Sequence, residues 1–318
     1  MVTHCYFLKE NIEIWLVMPT RGEWMEVVYI NNSKVLAECK PEPCVMAVGF
    51  FDGVHLGHKK IIEKAKEIAQ VKKLTFAVMT FFPHPSQVIE TDRKVISYLS
   101  PLPSKMEIFS QLGVEKLYIV KFDKNFSELS DQDFVNQYLK GLMCKHVVAG
   151  FDFTYGFKGK GNMEKLKNVG TGFFDVTTIP KIQYKQEKIS SSMIRKLLES
   201  GLVNEIPHYL GDYYRVSCSV KSMERGDADN NFIFKAQIDH DYFLPKPGIY
   251  KIQIKFNETF YNGLCHITNK TLKPYLFEGV IDGLDRIAEK NNVQLRFIEQ
   301  LLDRPVAAAY DLFSRTVI

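Results

Sequence analysis

Between Met25 and Tyr209 short apolar runs alternate with amphipathic helical stretches, and this alternation restricts the fold more than any other feature of the chain. Strands covered by helices on both faces are apolar throughout, and a series of them builds a mostly parallel sheet. Cys44–Phe51, CVMAVGFF, is one such run. HKKIIEKAKEIAQ follows, with Ile61, Ile62, Ala65, Ile68 and Ala69 on one face and lysines on the other, which predicts a helix. Leu74–Phe82 is the next strand, ended by Pro-His-Pro. In SKMEIFSQLG, Ser104 and Glu107 predict a capping box and Gly113 the helix stop. VEKLYIVKF and HVVAGF read as strands on either side of SDQDFVNQYLKGL, a helix opened by Ser130. SSSMIRKLLESG closes the series with a serine cap, apolar Ile194, Leu197 and Leu198, and Gly201 as terminator. The expectation is an α/β domain with an open, doubly wound, Rossmann-like sheet, which binds ligands at the carboxyl ends of its strands.

After Tyr213 the pattern changes. YYRVSCSVKSM, NFIFKAQID, GIYKIQIKF and ETFYNGLCHIT read as β-strands, with turns at Gly226-Asp227 and Pro245–Gly248. Helical patterns follow over roughly Leu284–Val317. A smaller, β-rich, barrel-like C-terminal domain ending in a helix is expected.

Composition narrows the function classes. The net charge of +4 supplies no basic field, so neither nucleic acid nor a membrane surface is an expected partner. No apolar run approaches the roughly 20 residues of a membrane span. IEIWLVM is short, carries an acid and follows no basic segment, so it does not read as a signal peptide. The six cysteines are scattered with no Cys-x-x-Cys pair, which favours reduced thiols in the cytoplasm over zinc or disulfides.

Two stretches carry chemistry. GFFDGVHLGH, Gly49 to His58, joins a buried strand to a helix. Gly57 is read as allowing a tight turn, with His58 at the helix start, where N–H groups and the dipole favour an anion. His55 and His58 add directional donors for phosphate oxygens. A lone His-x-x-His is as readily an ordinary polar turn. Metal-binding histidines on a helix usually sit at i and i+4, and no third ligand follows closely, so no metal ligand is assigned. The flanking Gly-Phe-Phe-Asp-Gly on a buried strand favours phosphate. In KISSSMIRK, serine hydroxyls at a helix start precede Arg195 by about one turn, a second anion cradle. Alone it would read as a serine cap with a solvated arginine.

GFFDGVHLGH, TFFPHP (Thr80–Pro85), GFDFTYG (Gly150–Gly156) and ISSSMIR (Ile189–Arg195) occur in order. Together they resemble the adenylyltransferase module of bacterial FAD synthetases, the bifunctional riboflavin kinase/FMN adenylyltransferases, over about Val27–Tyr214. The resemblance implies a nucleotidyltransferase that moves AMP from ATP to FMN, giving FAD and pyrophosphate, with Mg²⁺ carried on the ATP phosphates. His55, His58 and Arg195 are then the catalytic residues. Gly49, Phe51, Asp52, Gly57, Ser191 and Ser192 bind ATP. His84, Asp152, Phe153 and Tyr155 line the flavin and adenine sides of the cleft, and YGFKGKGN matches the family's glycine-rich flap. Phe50 stands where the family often has asparagine and Ser192 where threonine is usual.

In the bifunctional family a kinase barrel follows, opening with a Gly-Phe-Pro-Thr motif for ATP and Mg²⁺. Fragments such as PKPGIYKIQI resemble its scaffold, yet Val216–Gly248 holds no Gly-Phe-Pro-Thr and no substitute glycine-rich phosphate loop. The expectation is a degenerate kinase domain over 213–318, an adenylyltransferase domain over 25–212 and an N-terminal extension over 1–24. The substrates are small molecules, and the sequence assigns no oligomeric state. Three competitors are a nucleotidyltransferase for another phosphorylated acceptor, a catalytically idle regulatory paralogue that binds flavin nucleotides, and a nucleotide-binding scaffold with no turnover.

Overall fold

A computed structural model of the chain describes residues 4–9, 12–17, 24–32, 36, 40–89, 97–226, 231–256, 259–268, 276–282 and 291–302. Contacts group the chain into two units, Met1–Ile96 with Leu102–Gln183, and Ser97–Pro101 with Tyr184–Ile318.

The first unit is built on one sheet. Two strands precede Met25, β1 (His4–Lys9) and β2 (Ile12–Val17). Six more follow: β3 (Met25–Ile30), β4 (Cys44–Val48), β5 (Thr75–Phe82), β6 (Lys116–Lys121), β7 (Cys144–Gly150) and β8 (Asp175–Ile179). Their order is β1-β2-β3-β6-β5-β4-β7-β8. From β3 to β8 all neighbours are parallel, and β1 and β2 add antiparallel strands at the β3 edge.

The side chains of β4 show why the sheet is wound on both sides. Cys44, Met46 and Val48 enter one core cluster, with Phe134, Leu139 and Leu166. Val45 and Ala47 enter the opposite one, with Ile62, Ala65 and Phe109. Strand alternation thus sends consecutive residues to two cores, and every residue of β4 is buried. Helices α1 (Leu56–Lys72) and α3 (Leu102–Gln111) cover one face. On the other lie α5 (Asp131–Phe134), which runs into a π-helical turn over Val135–Lys140, and α6 (Met163–Gly170). Short helices α2 (Pro85–Ile89) and α4 (Lys124–Ser127) follow β5 and β6. Because β5 and β7 flank β4 on opposite sides, the strand order reverses at β4 and opens a crevice at its carboxyl end.

Ser130 caps α5, accepting from the Asp133 N–H at 3.0 Å, and Gly113 takes the left-handed φ of +78° that ends α3. The capping box at Ser104 and Glu107 does not form. Helix α3 begins at Leu102, so Ser104 lies inside its first turn. Pro103 explains the earlier start, since its fixed φ suits a first turn and its missing N–H costs nothing there.

Along the chain between the two units come the two-residue strands β9 (Gln183–Tyr184) and β10 (Glu187–Lys188). The second unit then contains α7 (Ser191–Ser200), α8 (Pro207–Leu210) and a closed antiparallel barrel. Its strands are β11 (Tyr214–Arg225), β12 (Asn231–Ile238), β13 (Gly248–Phe256), β14 (Thr259–Ile267), β15 (Leu276–Asp282) and β16 (Asn292–Leu302). They run in the order β11-β12-β15-β14-β13-β16, and β16 pairs with β11 to close the ring. Val216, Cys218, Ile252, Ile254, Leu295 and Phe297 fill the barrel, each at most 1% exposed.

Strand β16 corrects the expectation of helix across Leu284–Val317. Val293, Leu295 and Phe297 are buried in alternation, the period of a strand with one face on a core. Residues 284–290 and 303–317 of that stretch, including the expected terminal helix, lie outside the described residues.

Candidate active site

GFFDGVHLGH lies at the crevice, directly after β4. Its turn is made by left-handed residues, Phe51 (φ +55°), Gly53 (+81°) and Val54 (+40°). Gly57 is instead within the first turn of α1, which corrects its reading as the turn-maker. A β-branched residue at positive φ is rare and persists only where its surroundings over-determine it. They do so here. The Phe50 carbonyl accepts from Thr80 Oγ1 at 2.9 Å and from Lys105 Nζ at 3.0 Å. Gly49 donates its N–H to Met79 O at 3.1 Å, and a Cβ at Gly49 would stand 2.9 Å from the Phe51 ring.

His55 is the N-cap of α1. Its Nδ1 accepts the His58 N–H at 3.2 Å, so the neutral ring carries its proton on Nε2. The two imidazoles stack at 3.6 Å between centroids, and the Phe51 ring meets His58 edge-on at 5.2 Å. Both histidines are thereby oriented at a helix N-terminus, where anions are favoured.

Lys105 was missed from the sequence. It is fully buried under this loop, 4.4 Å from the Phe50 ring centre. Burial lowers its pKa to about 8, partly opposed by the negative charge of Asp52. The available signal was position: Lys105 lies four residues before fully buried Phe109, on the apolar stripe of α3.

A cavity of about 560 Å³ opens beside the loop. Gly49, Phe51 and His58 line it from β4 and α1, and Asp152, Phe153 and Tyr155 from the loop after β7. Further aromatic rings line it too, Phe50, Phe81, Phe122, Phe126 and Phe134. Such walls suit a flat aromatic ligand, with His58 and Asp152 as polar points. Tyr155 is 5% exposed, and its hydroxyl has no hydrogen-bond partner among the described residues. Burial, with a smaller contribution from Asp131, raises its pKa to about 12, so it stays a neutral donor. Gly161 closes the loop behind it, and a Cβ there would fall 2.5 Å from the Tyr155 ring. His55 and Asp52 are buried and are not among the residues lining the cavity, and His84 packs edge-on against Phe50 at 4.6 Å. His84 Nδ1 also lies 2.6 Å from Ser86 Oγ.

Ser191, Ser192 and Arg195 belong to the second unit. Ser190 caps α7, its Oγ accepting the Met193 N–H at 3.3 Å, while Ser192 is exposed on the first turn. Arg195 donates through Nη1 and Nη2 to Ser97 O at 3.4 and 3.2 Å. Among the described residues no cluster of three or more His, Cys, Asp or Glu is arranged to hold a metal, and no helix is long and apolar enough to cross a membrane.

Residues 37–193 match the family model described as FAD synthetase. A bifunctional riboflavin kinase/FMN adenylyltransferase of Bacillus subtilis is 40% identical over 247 residues, 77% of this chain and 78% of that protein. A FAD synthetase of Listeria monocytogenes is 28% identical over 251 residues, 78% of this chain and 92% of that protein. A crystal structure of a Streptococcus pneumoniae protein described as macrolide-efflux superposes with a TM-score of 0.80 at 25% identity, covering 91% of this chain and 95% of that one. The motif loops at the switch point, the extent of the family match and the shared length with the Bacillus protein lead to one conclusion: the chain belongs to the FAD synthetase family.

Proposed function

We propose that this enzyme transfers AMP from ATP to FMN, releasing pyrophosphate and FAD, and that it lacks riboflavin kinase activity. The observation that carries the reading is the meeting of the loops after β4 and β7 around one aromatic cavity, beside the histidine-capped start of α1. The FMN phosphate is already a nucleophile. One of its oxygens forms a bond to the α-phosphorus of ATP as the bond to the α–β bridging oxygen breaks, and the electron pair leaves with pyrophosphate. No covalent enzyme intermediate is needed, so the protein contributes position and charge stabilisation.

His58, and His55 through its Nε2–H, donate to the phosphate oxygens where charge builds. Gly49, Phe51 and Asp52, in the turn after β4, and Gly57, in the first turn of α1, bind ATP beside them. Ser191, Ser192 and the Arg195 fork grip the β- and γ-phosphates. Mg²⁺ arrives as part of the ATP complex, and no protein ligand is assigned to it. Phe153 and Tyr155 hold the flavin ring, Asp152 offers its polar edge an acceptor, and His84 supports the Phe50 wall.

The loss of kinase activity is supported by the stretch where a phosphate loop is expected. Lys221–Arg225 and Asn231–Ile238 form the paired strands β11 and β12. A phosphoryl-transfer site without a nucleotide cradle lacks the parts that lower its barrier. We assign adenylyl transfer to 25–212, a kinase-like domain to 213–318 and an extension to 1–24, and place the reaction in the cytoplasm.

Flavin-free protein incubated with ATP, Mg²⁺ and either FMN or riboflavin tests the reading, with products separated by chromatography. FAD from FMN with riboflavin unchanged is the expected result. Conversion of riboflavin to FMN overturns the loss of kinase activity. Bound but unconverted FMN overturns the enzyme and favours the regulatory paralogue.

A further inference from the structure

Arg195 is held by groups distant in sequence but within its own unit. Its guanidinium donates to Ser97 O, and its central carbon lies 5.0 Å from the centre of the Phe243 ring. Both holders are themselves fixed. Tyr98 donates its N–H to Asp241 O at 2.7 Å, and Phe243 returns its own to Tyr98 O at 2.8 Å. Tyr98 and Tyr242 form a parallel bridge between these two hydrogen bonds. Tyr214, the first residue of β11 and 1% exposed, donates its hydroxyl to Phe243 O at 2.8 Å. Lys246 donates its N–H to Leu198 O at 2.9 Å, which joins the same segment to α7. The stretch Asp241–Lys246, leading into β13, is therefore bonded to the strap Ser97–Pro101, to the barrel and to the helix that carries Arg195.

An arginine side chain loses considerable rotamer freedom when it grips a ligand, and prior restraint lowers that cost. The Phe243 ring face bears on the guanidinium while the Ser97 carbonyl accepts from its two terminal nitrogens.

We propose that Phe243 is a positioning residue for adenylyl transfer: its ring holds Arg195 in the orientation that takes the ATP phosphates. The proposal rests on the reading of Arg195 as a phosphate ligand. It gives the unit containing the barrel a part in FAD formation that is independent of any kinase chemistry of its own.

Steady-state kinetics of FAD formation by the full chain test this, comparing wild type, Arg195→Ala, Phe243→Leu, Phe243→Tyr and the Arg195→Ala/Phe243→Leu pair. Leucine keeps apolar bulk and leaves the backbone bonds of residue 243 in place but removes the ring face. Phe243→Leu is expected to raise the KM for ATP about fivefold, the scale of a cation–π contact, with the KM for FMN and the melting temperature near wild type. Phe243→Tyr should restore the wild-type KM. In the pair, the leucine should add nothing to the loss caused by Arg195→Ala, because the contact is already gone. A wild-type KM for ATP in Phe243→Leu beside an impaired Arg195→Ala overturns the role of Phe243. Additive losses in the pair, or equal losses for ATP and FMN, overturn it too by making the ring mere packing. Wild-type ATP kinetics in Arg195→Ala instead overturn the reading of Arg195 on which the proposal stands.

Discussion

The helix starts of α1 and α7 both carry phosphate-type motifs, and they are built differently. Helix α1 begins on His55, one side chain that caps the helix through Nδ1 and stacks on His58. Helix α7 begins on Ser190, an ordinary hydroxyl cap in extended conformation, with Arg195 a turn further along. The approach to α1 holds Phe51 and Val54 at positive φ, pinned through Phe50 by Thr80 and buried Lys105. The approach to α7 needs no such support, since Ser190 sits at φ −155° and ψ 158°. At α1 the cap and the proposed chemistry share a residue. At α7 they are separate, and orientation comes from Ser97 and Phe243. On this reading a helix start that has to place donors against a reacting phosphate is a strained, buttressed structure, whereas one that only grips phosphate combines an ordinary cap with an arginine oriented from outside the helix.

The largest way to break this contrast is His58→Ala. If α1 is the start at which charge develops, the substitution should slow FAD formation by roughly 10²–10³, with the fold intact because the His55 cap bonds the backbone of residue 58 rather than its ring. Rapid-quench or steady-state turnover beside a melting curve measures it. Unchanged turnover would remove His58 from the mechanism.

Next comes the buttress. Lys105 has a folded pKa of about 8 against an ordinary 10.5, because burial penalises its charge. Below pH 8 the lysine is charged in both folded and unfolded chains, and the full penalty is present. Between about pH 8 and 10.5 the folded protein has released the proton while the unfolded chain retains it, so this group makes stability rise with pH. The relief amounts to roughly 3 kcal/mol. Lys105→Met should abolish the rise, seen as a wild-type-minus-variant difference in urea unfolding between pH 7 and pH 10. The same variant removes one donor to Phe50 O and should slow FAD formation about tenfold, the scale of one charge-assisted hydrogen bond. A pH-independent difference would mean that Lys105 is not the buried titrating group.

The contrast between the starts also marks what the sequence could reveal. His55, His58, Ser190 and Arg195 each lie within a short stretch that stands out in the sequence, and the apolar runs of β4, β5 and β7 are long enough to read as buried strands. The buttress was illegible. Its parts come from β4, β5 and α3, and a lysine on a helical pattern reads as solvent-facing unless its place on the apolar stripe is weighed against Phe109. The strained turn was hidden for a related reason, since positive φ at Phe51 and Val54 is imposed by surrounding contacts and neither residue type advertises it, which left Gly57 as the apparent turn-maker. In β16 the signal existed: Val293, Leu295 and Phe297 alternate, but charged and amide neighbours gave the stretch a helical appearance. The Ser97–Phe243 hold on Arg195 joins segments far apart in sequence, and only the fold brings them together.

The smallest effect separates the two kinds of cap. Asparagine is among the best N-caps, so His55→Asn should keep the stability of α1 within a few tenths of a kcal/mol while removing the Nε2–H donor. His55→Ala should lose about 1 kcal/mol of stability as well as the donor. At α7, Ser190→Ala should also lose about 1 kcal/mol, yet keep most of its turnover, because its hydroxyl is engaged by the Met193 N–H. Chemical denaturation and FAD turnover measured on the three proteins therefore fall into different quadrants: stable but slow, unstable and slow, unstable but active. If His55→Asn made FAD at the wild-type rate, His55 would be a plain helix cap like Ser190, and the difference between the two starts would reduce to the strain in the loop that leads into α1.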